Sequence, residues 1–359
     1  MVTDKMENKI IFLGKLNRTN CNNGPSGVLK SLMNAGKKID NIDFKIINTN
    51  KEVLKLPRIL LYSNYKTVCI CSDGFFLTFI IFILSLFDIK RKYYLIIHGI
   101  YKIESKYNGI KPNRKTVLIE KIIYKCFPNV ICVSEKLKID IKYYFKRTNN
   151  VYVINNGMDL IKLNGSINNF VRGSVLNLIH VGGIKNRKGI YEALELVRAL
   201  NALNIKVFLN IYGDVIDNKS LTKFYNYIKT YNLSHLVCYN GQINDKEKLY
   251  NAYYKSDFNL CLSKYDTFNI AVLESMSVGC PCFVTTNCGA SEIVESGMDG
   301  YVINQDDYIQ QIVSIIKLYL NYSNCEIKKL RLNASIKASK YSWNNVIKQY
   351  FALLGKDCD

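Results

Sequence analysis

The chain has 359 residues, a formal net charge of +20, 48% hydrophobic and 22% charged residues. That length exceeds the roughly 250–300 residues one hydrophobic core supports, so two domains are expected, and the composition excludes a disordered or low-complexity chain. The charge is lopsided: residues 1–172 carry 29 lysines and arginines against 12 acids, the rest 20 against 17, a field that favours an anionic partner such as nucleic acid, an anionic membrane or a phosphorylated substrate.

The N-terminal stretch MVTDKMENKIIFLG lacks an apolar run followed by a small-residue cleavage site. The twelve cysteines therefore read as reduced thiols of a cytosolic protein. Cys69-x-Cys71 and Cys280-x-Cys282 lack the two-residue gap of zinc or redox motifs and read as small buried side chains. A first strand is expected over Ile10–Leu13, ending at Gly14, then a polar Asn/Gly/Ser stretch and an amphipathic helix over Val28–Ala35. Further strands are expected at Phe44–Ile47, Thr67–Cys71, Tyr93–Ile97, Val130–Val133 and Val151–Ile154. The uncharged run Phe75–Phe87 (FFLTFIIFILSLF) is shorter than the about 20 residues of a membrane span. It reads first as a buried core helix; Lys90, Arg91 and Lys92 follow at once, which keeps a helix resting at the bilayer interface as the alternative.

The second half restarts the pattern: strands at Leu176–Val181, Val207–Tyr212, Val237–Tyr239, Phe258–Leu262, Pro281–Thr285 and Tyr301–Ile303, with a helix from about Gly189 to Asn201 after a Gly-rich turn. Strands alternating with helices imply α/β architecture with two Rossmann-like, doubly wound parallel sheets. The expected division is residues 1–165, 166–340 and a C-terminal helix within 341–359 that packs across the join. In such sheets ligands bind at the carboxyl ends of strands, so two facing domains make a cleft.

The stretch YDTFNIAVLESMSVGCPCFVTT at 265–286 places a loop before a helix over Ile270–Val278 that Gly279 and Pro281 stop. The N–H groups of Thr267 to Ala271 make a helix N-terminus suited to an anion. Glu274, a turn inside, suits a neutral polyol such as ribose, and Asp266 a second polyol beyond the phosphates. Equally open on spacing alone, Asp266 caps the helix and Glu274 lies on a solvated face.

Asp266, seven residues, Glu274, then Ser-Met-Ser-Val-Gly-Cys-Pro resembles the retaining glycosyltransferases of family 4 with the GT-B fold, whose pattern is Glu-x7-Glu and Ala-Met-Ala-x-Gly-x-Pro. Asp266 departs from it. The likeness continues through Gly289-Ala290-Ser291-Glu292-Ile293 and Gly297-Met298-Asp299-Gly300, and through Val133-Ser134-Glu135, Asn155-Asn156-Gly157-Met158-Asp159, Ile211-Tyr212-Gly213-Asp214 and Tyr239-Asn240-Gly241-Gln242. Gly182-Gly183-Ile184-Lys185-Asn186-Arg187-Lys188-Gly189 is similar to the family's Gly-Arg-x4-Lys-Gly, with Gly183 in the arginine position. Lys188 suits a diphosphate, and Lys185 or Arg187 is left to replace the missing guanidinium.

The resemblance implies a metal-independent transferase using a nucleotide-diphosphate sugar, a UDP-sugar before a GDP-sugar, with no cofactor. His98, Asp266 and Lys188 are its expected catalytic residues. Ser26, Gly27, Gly182, Gly183, Arg187, Lys188, Phe268, Asn269, Ile270 and Glu274 are expected to bind the donor. Ser26-Gly27 stands where the family has a Gly-Gly turn, and His98, after the strand Tyr93–Ile97, is expected to position a sugar. His180 and His235 read as structural. The scattered histidines give no metal site, and Asp357-Cys358-Asp359 follows no strand. The basic first half suggests a lipid-linked glycan acceptor in O-antigen or capsule assembly at the inner face of the cytoplasmic membrane. Lys90 to Lys92, Arg114, Lys115, Lys121 and Lys125 would contact the anionic membrane surface. Two other readings stand beside this one. One is a catalytically silent glycosyltransferase-like subunit, on the Gly183 and Asp266 departures. The other is a nucleic-acid-binding protein, hinted at by Tyr143, Tyr144 and Phe145 beside Lys142, Lys146 and Arg147 but lacking any recognised motif.

Overall fold

The computed structural model describes residues 9–15, 24–37, 39–71, 75–160 and 167–356. The terminal Asp357-Cys358-Asp359 triplet lies outside them. The first six strands are β1 (Lys9–Gly14), β2 (Ile42–Ile46), β3 (Tyr65–Ile70), β4 (Lys92–Ile97), β5 (Asn129–Cys132) and β6 (Val151–Val153). They form one parallel sheet in the order β2-β1-β3-β4-β5-β6. The next six, β7 (Leu176–Val181), β8 (Val207–Tyr212), β9 (Val237–Tyr239), β10 (Phe258–Cys261), β11 (Cys282–Thr285) and β12 (Tyr301–Ile303), form a second in the order β12-β11-β10-β7-β8-β9. Helices cover both faces of a parallel sheet, so its strands are buried on both sides and read as unbroken apolar runs. Ile10–Leu13, Tyr93–Ile97 and Phe258–Leu262 are such runs in the core, except for the buried Asn259.

The chain divides into two compact units. One comprises residues 1–102, 111–157 and 343–359; the other comprises 103–110 and 158–342. The C-terminal helix Trp343–Lys356 belongs to the first unit, where Tyr350 meets Phe12 edge-on and the Leu354 carbonyl accepts from Thr67. In each sheet the chain winds outward in two directions from a central pair of strands, β1 and β3 in the first, β7 and β10 in the second. The crevice at such a reversal, beyond the carboxyl ends, is where doubly wound sheets take ligands.

Three sequence expectations need correction. The helix Phe75–Phe87 buries only the face carrying Leu77, Thr78, Ile81 and Phe82, so it is not a fully buried core helix. Arg91 is no surface cation: its guanidinium pairs with Asp88 at 2.6 Å and donates to the carbonyls of Leu60, Ser63 and Tyr65. Arg147 is likewise spent on the carbonyls of Tyr124, Phe127, Pro128, Asn149 and Asn150, which removes it from any nucleic-acid surface. The ten described cysteines form no disulfide.

Candidate functional site

In the second unit the loop after β7 and the loop after β10 leave the sheet side by side at the reversal. Gly182 and Gly183 begin the first. Gly183 has φ +71°, and a Cβ there would stand 1.9 Å from the Asp214 carbonyl oxygen. This backbone leaves no room for a side chain at the position where the family carries arginine. The loop is tied at every following polar position. Lys185 pairs with Asp214 at 2.6 Å, Asn186 accepts from Lys264 at 3.1 Å, and Arg187 donates to the Tyr265 carbonyl at 3.1 Å. Lys188 Nζ stands 2.5 Å from Asp266 Oδ2. Gly189, at φ +82°, allows the turn to lie against the Leu262 carbonyl, where a Cβ would fall 1.9 Å away.

Asp266 is fixed from the other side. Its N–H donates to the Asn287 carbonyl at 3.1 Å and its carbonyl accepts from Gly289 at 2.9 Å, so the Gly-Ala-Ser-Glu-Ile motif clamps it. Burial by itself would push the Asp266 carboxyl up; the Lys188 ammonium and the Arg187 guanidinium, 3.7 Å away, outweigh that and hold it below the ordinary aspartate value. Arg187 also lies 3.9 Å from Glu104, a carboxylate the motifs did not single out. Sequence reasoning gave Lys188 to phosphate and Asp266 to a sugar; the structure pairs them with each other.

The helix Ile270–Ser277 begins at Asn269, whose φ of 74° is left-handed, a region open to asparagine at modest cost. Phe268 and Asn269 are buried beside Asp266. The first turn of a helix leaves N–H groups without intrahelical partners, and here that turn begins at Ile270, four positions after Asp266. Asn259 of β10, unrecognised in the sequence, fixes the helix. Its amide donates to the Ala271 carbonyl at 3.0 Å and to Ser275 Oγ at 3.1 Å.

Glu274 lies on the side of that helix facing the helix Lys246–Tyr254. Burial pushes its carboxyl up, the Lys246 ammonium pulls it down, and the Asp159 carboxylate pushes it up again, for a net rise above the ordinary value. Asp159 and Lys246 are themselves ion-paired. If ionised Glu274 accepts ribose hydroxyls, nucleotide affinity falls on acidification starting above pH 4.5, where an ordinary glutamate would still be charged. Calorimetric titration with UDP from about pH 8 to about pH 5 checks this, and Glu274→Gln should bind weakly with a flat profile.

His180, on β7, is buried; its Nδ1–H donates to the Leu260 carbonyl at 3.0 Å, and burial pushes the imidazole down to about 4. It is a brace between the two central strands, as expected. His235 is exposed in the turn before β9.

In the first unit the reversal lies at the ends of β1 and β3. The helix Gly24–Gly36 begins earlier than expected, so Ser26 and Gly27 occupy its first turn and not a loop. Ser26 Oγ donates to the Lys15 carbonyl at 3.3 Å. Cys71 follows β3, donates its thiol to the Pro25 carbonyl at 3.8 Å and lies 3.4 Å from His98 Nε2. Burial pushes His98 down to about 4, so it is neutral at physiological pH and fitted for hydrogen bonding, not for neutralising phosphate. Its cysteine neighbour was legible only as a small buried residue. Among the described residues no group of three or more His, Cys, Asp or Glu side chains could hold a metal ion.

The chain is similar to several known proteins. A UDP-Gal:alpha-D-GlcNAc-diphosphoundecaprenol alpha-1,3-galactosyltransferase of Escherichia coli is 28% identical over 234 residues, which cover 62% of this chain and 58% of that one; the chain thus matches little more than half of that relative's length. Among solved structures, a sucrose-phosphate synthase from Thermosynechococcus elongatus superposes with a TM-score of 0.77 at 14% identity, covering 97% of this chain and 98% of that one. Anabaena Alr3699/HepE in complex with UDP and glucose superposes with a TM-score of 0.75 at 17% identity, covering 97% and 100%. These structures share the fold, GT-B, which in this chain comprises two parallel six-stranded sheets with helices. Residues 171–347, the segment holding Lys188, Asp266 and Glu274, match the model of the glycosyl transferases group 1, so this segment, just under half of the chain, is of that family.

Proposed function

We propose that this chain is a retaining glycosyltransferase that moves a sugar from a nucleotide-diphosphate sugar, UDP-linked before GDP-linked, to a hydroxyl of a lipid-linked glycan. The proposed setting is assembly of O-antigen or capsule, with the protein peripheral on the inner face of the cytoplasmic membrane. The observation that carries this reading is the Lys188–Asp266 pair at 2.5 Å, with Arg187 3.7 Å from the same carboxylate, at the carboxyl-end reversal of the second sheet. Two cations and a helix N-terminus converge there, as a diphosphate requires. In support, the Escherichia coli relative is named for a UDP-linked donor and a diphosphoundecaprenol-linked acceptor.

The reaction breaks the bond from the anomeric carbon to the diphosphate oxygen and forms a bond to the acceptor oxygen on the same face. The acceptor's proton passes to the departing phosphate oxygen. Charge grows on the leaving diphosphate, so Lys188, Arg187 and the N–H groups opening the helix Ile270–Ser277 act by electrostatic stabilisation. A donor entering this site exchanges the Lys188–Asp266 contact for Lys188–phosphate, freeing Asp266 to accept from a sugar hydroxyl. Glu274 is assigned the ribose, and His98, neutral, a sugar hydroxyl. No metal is required in this scheme, so chelator should leave the rate unchanged.

Arg187 rather than Lys185 replaces the missing guanidinium, because Lys185 is engaged with Asp214 while Arg187 reaches Asp266. Arg187→Ala should raise the donor KM by about tenfold or more, and Lys185→Ala should change it little. The proposal as a whole is tested by incubating the protein with UDP- and GDP-sugars and a polyprenyl-diphosphate-linked glycan, then assigning the anomeric configuration of the product by NMR. An inverted product overturns retention. Failure of every nucleotide diphosphate to raise the melting temperature overturns the site.

A further inference from the structure

The helix Phe75–Phe87 has two faces of opposite fate. At 3.6 residues per turn, Phe75, Phe76, Phe79, Ile83, Leu86 and Phe87 share roughly a third of its circumference, and all six are exposed, Phe87 to 82%. Ile89, just beyond, is 96% exposed. The neighbouring helix Arg114–Cys126 packs against it and adds exposed Leu118 and Ile122. Single exposed apolar residues mean nothing, but a contiguous stripe of this kind marks an interaction surface.

The flanks say what it meets. Lys90 and Lys92 follow the stripe in the chain, Arg114, Lys115, Lys121 and Lys125 stand on the neighbouring helix, and all six are exposed. The two helices carry one acid between them, Glu120, which is buried and accepts from the N–H of Tyr101 at 2.6 Å. Asp88 is taken by Arg91 and Tyr93. A second copy of the same face would bring two cationic rims together around a two-fold axis and be repelled. An anionic bilayer satisfies both the phenylalanines and the lysines.

We propose that this stripe docks the chain on an anionic phospholipid surface, with Phe76, Phe79, Ile83 and Leu86 entering the boundary of the acyl chains and the rim lysines meeting lipid phosphates. The proposal rests on the reading that the acceptor is lipid-linked, and names the face that brings the first unit to it.

The test uses the full chain and vesicles of phosphatidylglycerol with phosphatidylethanolamine, against vesicles of phosphatidylcholine alone. Wild type should float with the anionic vesicles, with added salt weakening but not abolishing binding. Phe79→Ser/Ile83→Ser should lower binding by at least about tenfold at every salt concentration. Lys121→Glu should lower it by about fivefold or more at low salt and much less at high salt. Phe79→Trp should be quenched by lipids brominated on the acyl chain, while the native Trp343, buried at 6% exposure, stays bright.

Unchanged vesicle binding by Phe79→Ser/Ile83→Ser overturns the proposal. So does sedimentation of wild type as a dimer that the same variant converts to monomer without loss of vesicle binding. Sugar transfer to a detergent-solubilised acceptor is measured in parallel. If the variant transfers normally yet still binds vesicles, only the docking face is wrong; if wild type never transfers, the enzymatic reading is wrong whatever binds lipid.

Discussion

Lys188→Met is expected to reduce kcat by about 10²–10³-fold, the usual cost of removing one donor from a site of developing negative charge. It also strips Asp266, a buried carboxylate, of its 2.5 Å partner, and breaking a buried pair from one side costs about 3–5 kcal/mol. The pH dependence separates the two effects. In wild type the Asp266 carboxyl lies below its ordinary value of 3.8, so its contribution to stability is present above that value and lost as pH falls through the lowered one. In the variant burial prevails and the carboxyl rises, so the stability deficit is largest at neutral pH and shrinks on acidification, where protonation relieves the stranded charge. Lys188→Met/Asp266→Asn should regain most of the melting temperature and none of the activity. A double variant as unstable as the single one would show that the pair does not hold the loop, and retained activity in either would remove Lys188 from the chemistry.

Gly183→Arg, which restores the family's residue, is expected to damage the protein. Position 183 is left-handed at φ +71°, and its Cβ would stand 1.9 Å from the Asp214 carbonyl oxygen and 2.9 Å from that residue's nitrogen. Gly213 abuts the same spot: a Cβ there would lie 2.5 Å from the Gly183 nitrogen. Neither backbone can yield without parting β7 from β8. The cost should be about 3 kcal/mol, a fall in melting temperature of roughly 6–12 °C for a domain of this size, with donor affinity no better than wild type. Gly183→Ala should lose nearly as much, because strain and not the guanidinium is responsible. A stable arginine variant with tighter donor binding would mean that the turn is softer than its contacts imply and that Arg187 is not the substitute.

Most of the strands were legible because they are largely apolar runs closed by a glycine or polar residue, the imprint of parallel strands buried on both faces; the edge strand β2, with Asp43 and Lys45, is the exception. The motif around Asp266 and Glu274 also located the helix that follows it. Partnership was harder to read. Lys188 and Asp266 stand 78 positions apart, and only the reversal of strand order between β7 and β10 makes their loops neighbours. The same gap hid the fate of Arg91 and Arg147, which look like surface charge in the chain and prove to be carbonyl clamps. The polar Asn/Gly/Ser stretch before Val28 reads as a loop, with Ser26 and Gly27 in it, whereas the helix already opens at Gly24-Pro25, where proline's missing N–H costs nothing. Cys71 gave no signal of its contact with His98, since a buried thiol has the same sequence signature whether or not it touches a site.

The first unit is assembled from both ends of the chain. Its closing helix, Trp343–Lys356, arrives after everything from Met158 to Ser342 has been made. Until then the Thr67 hydroxyl lacks the Leu354 carbonyl, 287 positions away, and Phe12 lacks the ring of Tyr350. During synthesis, then, the lobe made first is the lobe finished last, and it waits on the ribosome with an uncovered seam while the lobe made later can already complete its own core. Chaperone demand and proteolytic vulnerability in the nascent chain should therefore concentrate on the early lobe, and a stop codon just before Trp343 should be far more damaging than the loss of so short a segment suggests.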